Sequence, residues 1–255
     1  MDQTPPPAPR NRSIYLLPNL FTTAALFSGF FAIIAASQGR FEAACIAIFV
    51  AAVLDGVDGR VARMTNTQSE FGVQYDSLSD LISFGMAPAL VMYHWALVGM
   101  KLDGPTLGKI GWLGAFVYAV CAALRLARFN SQVGVVDKRW FIGLPSPSAA
   151  ALMASFVWTM HTLGTSGVDL RYAALAVTVL AGLLMVSRLR YPSFKGGRGP
   201  NADRVPFGVL LLVVAVIIGL VIDAPKMLLL ASASFAVLGP LIARRAMRRG
   251  PPEQA

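Results

Sequence analysis

The chain has 255 residues, of which 56% are hydrophobic and 14% charged. A soluble domain carries about 25% charged residues, so this composition excludes an ordinary water-soluble globule and points to a membrane. The net charge of +9 fits basic loops facing an anionic cytoplasmic leaflet; in so apolar a chain it does not argue for nucleic acid.

Residues 1–13 form a polar, Pro-rich tail, unlike a cleavable leader in which a short basic start runs into an apolar stretch. Next, "NRSIYLLPNLF" reads either as a short interfacial helix or as a helix start with Pro18 in its first turn. Apolar runs of roughly 17–25 residues are transmembrane candidates. They lie near 17–37, 43–63, 71–99, 108–128, 145–164, 170–187, 206–222 and 226–243. The expected fold is therefore all-α, a polytopic transmembrane helical bundle of about eight helices. Cys45 and Cys121 both sit in apolar stretches and read as small core residues rather than a disulfide or a metal cluster. Gly108, Gly111 and Gly114 form a small-residue series suited to helix packing within or between subunits. With the N-terminus in the cytoplasm, Arg40, Lys101, Lys109, Arg171 and Lys226 fall outside, and the remainder of the 22 Lys and Arg residues fall inside. Such a bias places both termini in the cytoplasm.

The second and third runs are broken by charge. Most of the 13 acidic residues fit tails, loops or helix ends, but Asp55, Asp58, Asp76 and Asp80 stand in the inner halves of these two spans. A carboxylate at a membrane helix centre costs about 2.5–3.5 kcal/mol on insertion scales, and less near an interface. Asp55 and Asp58 are three apart and Asp76 and Asp80 four apart, so each pair shares a helix face. The polar link "MTNTQSE" makes the two helices antiparallel neighbours and brings both pairs to similar depth. Four carboxylates at one spot repel each other unless cations lie between them. Oxygen ligands without nearby His or Cys favour a hard ion, Mg²⁺, Mn²⁺ or Ca²⁺, over Zn²⁺. Four carboxylates have room for two ions, an arrangement suited to displacement at phosphorus.

Gly59, Ala62 and Gly72 flank the aspartates with no bulky side chain, so a ligand or a helix can come close. Arg63, at the inner end, is placed to meet a phosphate. Asp–Arg pairs inside a bundle are the structural alternative, and GxxG spacing alone marks helix packing. Four aspartates with these intervening small residues go beyond what such pairs need.

The run Asp55-x₂-Asp58-Gly59-x₂-Ala62-Arg63-x₈-Gly72-x₃-Asp76-x₃-Asp80 resembles the signature of the CDP-alcohol phosphotransferases, with every position filled. The resemblance implies an integral membrane enzyme that displaces CMP from a CDP-linked lipid or alcohol with a second alcohol. It implies that Asp55, Asp58, Asp76 and Asp80 bind two Mg²⁺ or Mn²⁺ ions, that Asp80 is also the general base, and that Gly59, Ala62, Arg63 and Gly72 shape the CDP pocket. Ser69 falls where the family often places a hydroxyl near the diphosphate, and Pro18-Asn19 resembles the segment covering the nucleotide. A turn serine and a helix-start Pro-Asn are equally ordinary structural features. On this reading the chain divides into the tail 1–13, a six-helix catalytic core 14–187, a basic cytoplasmic linker 188–205, a helix pair 206–243, and a basic tail 244–255.

The stretches "TNTQSEFGVQYDSLSDLISFGMAPA", "RLARFN", "FIGLPSPSAAA" and "LPNLFTTAALFSGFFAI" resemble the bacterial, membrane-embedded branch of that family that makes phosphatidylserine. That resemblance implies CDP-diacylglycerol and L-serine as substrates, CMP as a product, a homodimer, and a place in the bacterial inner membrane. Zwitterionic serine needs a cation for its carboxylate. Arg125 and Arg128, three apart on one face, are candidates, with headgroup anchoring as the alternative. Asn130 and the Pro145–Pro147 segment are candidate pocket walls. The same chemistry with choline, glycerol 3-phosphate or inositol remains open, as does a divalent-cation or proton-coupled transporter. Transporters, however, tend to bind near midplane between paired halves, and no matching acidic pair occurs in the second half.

Overall fold

The computed structural model describes the backbone of residues 16–64, 69–131, 140–192 and 207–248. Within these stretches the side chains of 16–18, 62–63, 140–141, 192, 207–218 and 246–248 lie outside the description. So do both chain tails and most of the polar and basic links named above.

The chain is helical throughout its apolar runs. α1 (Leu16–Ser37) ends where Gly39 takes φ 75°, and the N–H groups of Gly39 and Arg40 bond back to the carbonyls of Ala36 and Ala35. That left-handed turn returns α2 (Phe41–Met64) alongside α1. Small residues let the two backbones approach: Ala32, Ala35 and Ala36 on α1 share a buried cluster with Ala44, Ala47 and Ala51 on α2. Ser28 Oγ donates to the Ala47 carbonyl across this seam at 2.7 Å.

The third apolar run is not one regular helix. α3 (Glu70–Asp80) passes into a π-helical turn (Leu81–Met86), then α4 (Ala87–Trp95) and a 3₁₀ segment (Leu97–Asp103). Pro88 lacks the N–H that would bond the Phe84 carbonyl four residues back. The buried Tyr118 hydroxyl takes that carbonyl instead, at 3.1 Å. The helix thus loosens one turn after Asp80, and a neighbouring helix repairs the loss.

α5 (Pro105–Ser131) packs on the 3₁₀ segment and on α7 (Arg171–Val186). Gly108, Gly111 and Gly114 are buried inside the chain: a Cβ at each would meet Lys101, the Leu97 carbonyl and Leu175 respectively. Their packing role therefore lies within the subunit. α6 (Ser146–Thr162) rests on α2 and on α8 (Phe207–Arg248). α8 breaks at Asp223 (φ −152°, ψ 80°), with Pro225 just beyond. Asp223 caps the second half by accepting from the Lys226 N–H at 3.2 Å and from its Nζ at 2.6 Å. That break falls between the two final apolar runs.

β1 (Trp140–Ile142) pairs antiparallel with β2 (Arg190–Pro192). Tyr191, fully buried, donates to the Ala236 carbonyl at 3.1 Å and so ties this two-stranded sheet to α8. Cys45 and Cys121 are buried and unlinked. Among the described residues, four stretches are long and apolar enough to cross a bilayer: Asn19–Ser37, Glu70–Asp103, Pro105–Ser131 and Gly219–Arg245. Phe27, Phe30, Leu113, Phe116, Leu180 and Leu241 stand exposed, as side chains do when the surrounding solvent is lipid. The fold is an all-α membrane helical bundle.

Candidate active site

The acidic helices α2 and α3 scarcely touch through their backbones; both pack on α1. They face each other across a gap bridged by side chains. Asp55, Asp76 and Asp80 each bring a carboxylate oxygen to within 4.8 Å of the others. The charges of Asp55 and Asp58 both act on Asp76. Asp58 itself is turned towards α1, where it is 5% exposed and accepts from Thr22 Oγ1 at 2.6 Å.

The donor set fits a divalent ion. Three carboxylates this close repel one another, and buried acceptors are ordinarily paired, yet Asp76 Oδ1 is buried with no hydrogen-bond partner among the described residues. Ligands on opposite sides of Mg²⁺ stand about 4.2 Å apart. Small rotamer changes would therefore close Asp55, Asp76 and Asp80 on one ion, and an all-oxygen set selects hard cations.

Around this cluster the other expected residues are found at several places. Ser69 is the N-cap of α3, accepting from the Gly72 N–H at 3.0 Å. A Cβ on Gly72 would lie 3.2 Å from Ser69 Oγ and 3.8 Å from Asn19 Oδ1, so Asn19, Ser69 and Gly72 meet where α1 and α3 begin. Among the described residues, nothing lies within 4 Å of a Cβ built on Gly59. Pro18, Ala62 and Arg63 lie on described helices, but their side chains are outside the description. Arg125 is half-buried, acts electrostatically on Asp80, and donates from Nη1 to the fully buried Ser146 Oγ at 2.6 Å. Its Nε is buried without a partner among the described residues. Arg128 lies half-exposed one turn further along α5. Asn130 Nδ2 donates to Ser77 Oγ at 2.9 Å, tying the end of α5 to α3 beside Asp76.

Sequence reasoning missed the hydroxyls that build this frame. Ser79 Oγ donates to the Thr22 carbonyl at 3.2 Å, and Ser83 Oγ to the Ala25 carbonyl at 3.1 Å. Ser79 and Ser83 are four apart on one face, and Thr22 stands in an otherwise apolar run. Hydroxyls at helical spacing inside membrane helices were the available signal.

The family model described as CDP-alcohol phosphatidyltransferase matches residues 15–186. The chain belongs to the CDP-alcohol phosphatidyltransferase family. The match runs from the start of α1 to the end of α7 and includes all four aspartates. Among curated relatives, the CDP-diacylglycerol–serine O-phosphatidyltransferase of Helicobacter pylori is 41% identical over 182 residues, covering 71% of this chain and 74% of that one. The protein of the same description from Mycobacterium tuberculosis is 35% identical over 184 residues, covering 68% and 62%. The archaetidylserine synthase of Methanothermobacter thermautotrophicus is 34% identical over 186 residues, covering 72% of each. The family is metal-dependent, and Asp55, Asp76 and Asp80 make a site that can hold an ion.

Proposed function

We propose that this protein transfers the phosphatidyl group of CDP-diacylglycerol to the hydroxyl of L-serine, giving phosphatidylserine and CMP. The observation that carries the reading is the convergence of Asp55, Asp76 and Asp80 within 4.8 Å, beside Arg125, in a member of this family. The relatives named for serine support the choice of acceptor.

Asp80 accepts the serine hydroxyl proton as its oxygen attacks the phosphorus bearing the diacylglycerol. A new P–O bond forms, the diphosphate bridge breaks, and CMP leaves with the bridging oxygen. A carboxylate within hydrogen-bond reach suits this work because a neutral hydroxyl is a poor nucleophile. Two Mg²⁺ or Mn²⁺ ions, held by Asp55, Asp58, Asp76 and Asp80, would offset charge on the phosphate oxygens. The open face at Gly59, with Ala62 and Gly72, leaves room for the nucleotide. Pro18 and Asn19 cover it, and Arg63 and Ser69 lie towards the diphosphate. Arg125 meets the serine carboxylate, and its bond to Ser146 holds the guanidinium in place. Arg128 adds positive potential, while Asn130 fixes α5 against α3.

In the membrane the chain forms about eight spanning helices with both termini and the site on the cytoplasmic side of the bacterial inner membrane, in a homodimer. Residues 14–187 are the catalytic core, consistent with the family match. The tail 1–13, linker 188–205, helix pair 206–243 and tail 244–255 frame it. α7, with 16 residues, spans only about 24 Å by its length, so the bilayer thins locally around it.

The test is an acceptor panel. Purified protein with CDP-diacylglycerol and Mn²⁺ or Mg²⁺ is offered serine, choline, glycerol 3-phosphate and inositol, and CMP is measured. CMP with serine alone is the expected result. CMP with another alcohol instead moves the acceptor, and none with any alcohol removes the transferase reading.

A further inference from the structure

α1 carries no acidic residue, yet both acidic helices lean on it and scarcely on each other. Thr22 makes a polar contact to each of them. Its hydroxyl donates to Asp58 Oδ2 on α2 at 2.6 Å, and its carbonyl accepts from Ser79 Oγ on α3 at 3.2 Å. Thr22, Asp58 and Ser79 are 4%, 5% and 2% exposed, so water does not compete easily for these bonds. Ser79 immediately precedes Asp80. The neighbouring Thr23 reaches one acidic helix only: its hydroxyl donates to the Asn19 carbonyl of its own helix at 2.7 Å and lies 2.9 Å from Tyr75 Oη on α3.

The chemistry of the donor matters. Carboxylates crowded around one point repel and swing apart unless something neutral restrains them. A lysine or arginine at position 22 would restrain Asp58 but also neutralise it, competing with a bound cation. A threonine hydroxyl supplies a directed hydrogen bond and no net charge, on a β-branched side chain with few rotamers. It engages Asp58 Oδ2, the Gly59 backbone adds a second hydrogen bond to the carboxylate, and lone pairs remain for an ion.

We propose that Thr22 is a positioning residue for the metal site: its hydroxyl fixes the Asp58 carboxylate for cation binding, and its carbonyl sets the register of α3 through Ser79. The proposal rests on the metal-dependent transferase reading above. Partners that orient metal ligands typically account for roughly 10- to 100-fold in metal affinity.

The test uses full-length protein in lipid nanodiscs, titrated with Mn²⁺ while free Mn²⁺ is followed by electron paramagnetic resonance. Thr22→Val keeps the side-chain shape and removes the hydroxyl; its half-saturating Mn²⁺ concentration should rise about 10- to 100-fold. Thr22→Ser should stay close to the parent, while metal-free Thr22→Val should fold and unfold a few degrees lower, because buried Asp58 Oδ2 loses its donor. Parental Mn²⁺ binding by Thr22→Val overturns the proposal, as does a Thr22→Ser protein as weak as Thr22→Val. A Thr22→Val chain that does not fold assigns the residue to structure and also overturns it. If the parent binds Mn²⁺ and releases CMP while Thr22→Val is unaffected, only the Thr22 assignment fails. If the parent does neither, the transferase reading fails with it.

Discussion

Gly29→Ala tests how tightly the site depends on the seat of α1. A Cβ at Gly29 would lie 2.5 Å from Ser83 Oγ and 2.7 Å from Ser83 Cα. Rotating the serine side chain relieves the first contact but not the second, because the Cα belongs to the backbone of the π-helical turn. Moving that atom out to an ordinary 3.4 Å asks for about 0.7 Å of separation between α1 and the turn that follows Asp80. Overpacking of this kind costs about 1–3 kcal/mol, which lowers the melting temperature by several degrees in a chain of this size. The Ser83-to-Ala25 hydrogen bond stretches with it. Misplacement approaching 1 Å near reacting groups costs about 100-fold in rate, so CMP release at saturating substrates should fall about 10- to 100-fold. The assay pairs that turnover rate with thermal unfolding of the same preparation. Turnover within twofold of the parent, with an unchanged melting temperature, would refute the argument that α1 sets the geometry of the acidic helices.

Gly59→Ala is the converse case. Its Cβ meets nothing within 4 Å among the described residues, so thermal stability should hold or rise by about 1 kcal/mol through helix propensity, while KM for CDP-diacylglycerol rises; unchanged KM would take Gly59 out of the nucleotide pocket. Arg125→Lys keeps the charge but loses the planar fork that reaches Ser146. KM for serine should rise about tenfold or more, with CDP-diacylglycerol binding little changed, as measured by initial rates against each substrate. Tyr191→Phe removes the bond to the Ala236 carbonyl, costing about 1 kcal/mol of stability in a thermal melt while turnover per folded molecule stays parental.

The legible part of this molecule was the part written in periodicity and charge. The apolar runs are helical, the third in several pieces, and the gap between the runs 206–222 and 226–243 falls where α8 breaks at Asp223. Asp55, Asp76 and Asp80 were legible as a cluster because charge in an apolar helix is costly and demands a partner. The π-helical turn was not, since it depends on Tyr118 reaching the Phe84 carbonyl from a helix 34 residues away. Nor was the place of α1: the short polar link suggested α2 packed on α3, whereas both rest on α1 through small residues and single hydroxyls. Asp58 was read as an equal member of the cluster, but its contact with Thr22 sets it apart. The contacts of Tyr118 and Thr22 join residues distant in sequence, and Pro88 and the hydroxyls at helical spacing are the only local marks of where they fall.

The most direct measurement of the central claim is transfer of labelled L-serine into lipid by the purified protein after metal removal and return. Protein stripped with a chelator and given CDP-diacylglycerol should incorporate no label. Adding Mn²⁺ or Mg²⁺ should restore incorporation, with one CMP released for each phosphatidylserine formed. Label incorporated at full rate in the stripped protein would contradict the metal role of Asp55, Asp76 and Asp80, and no incorporation under any metal would contradict the transfer itself.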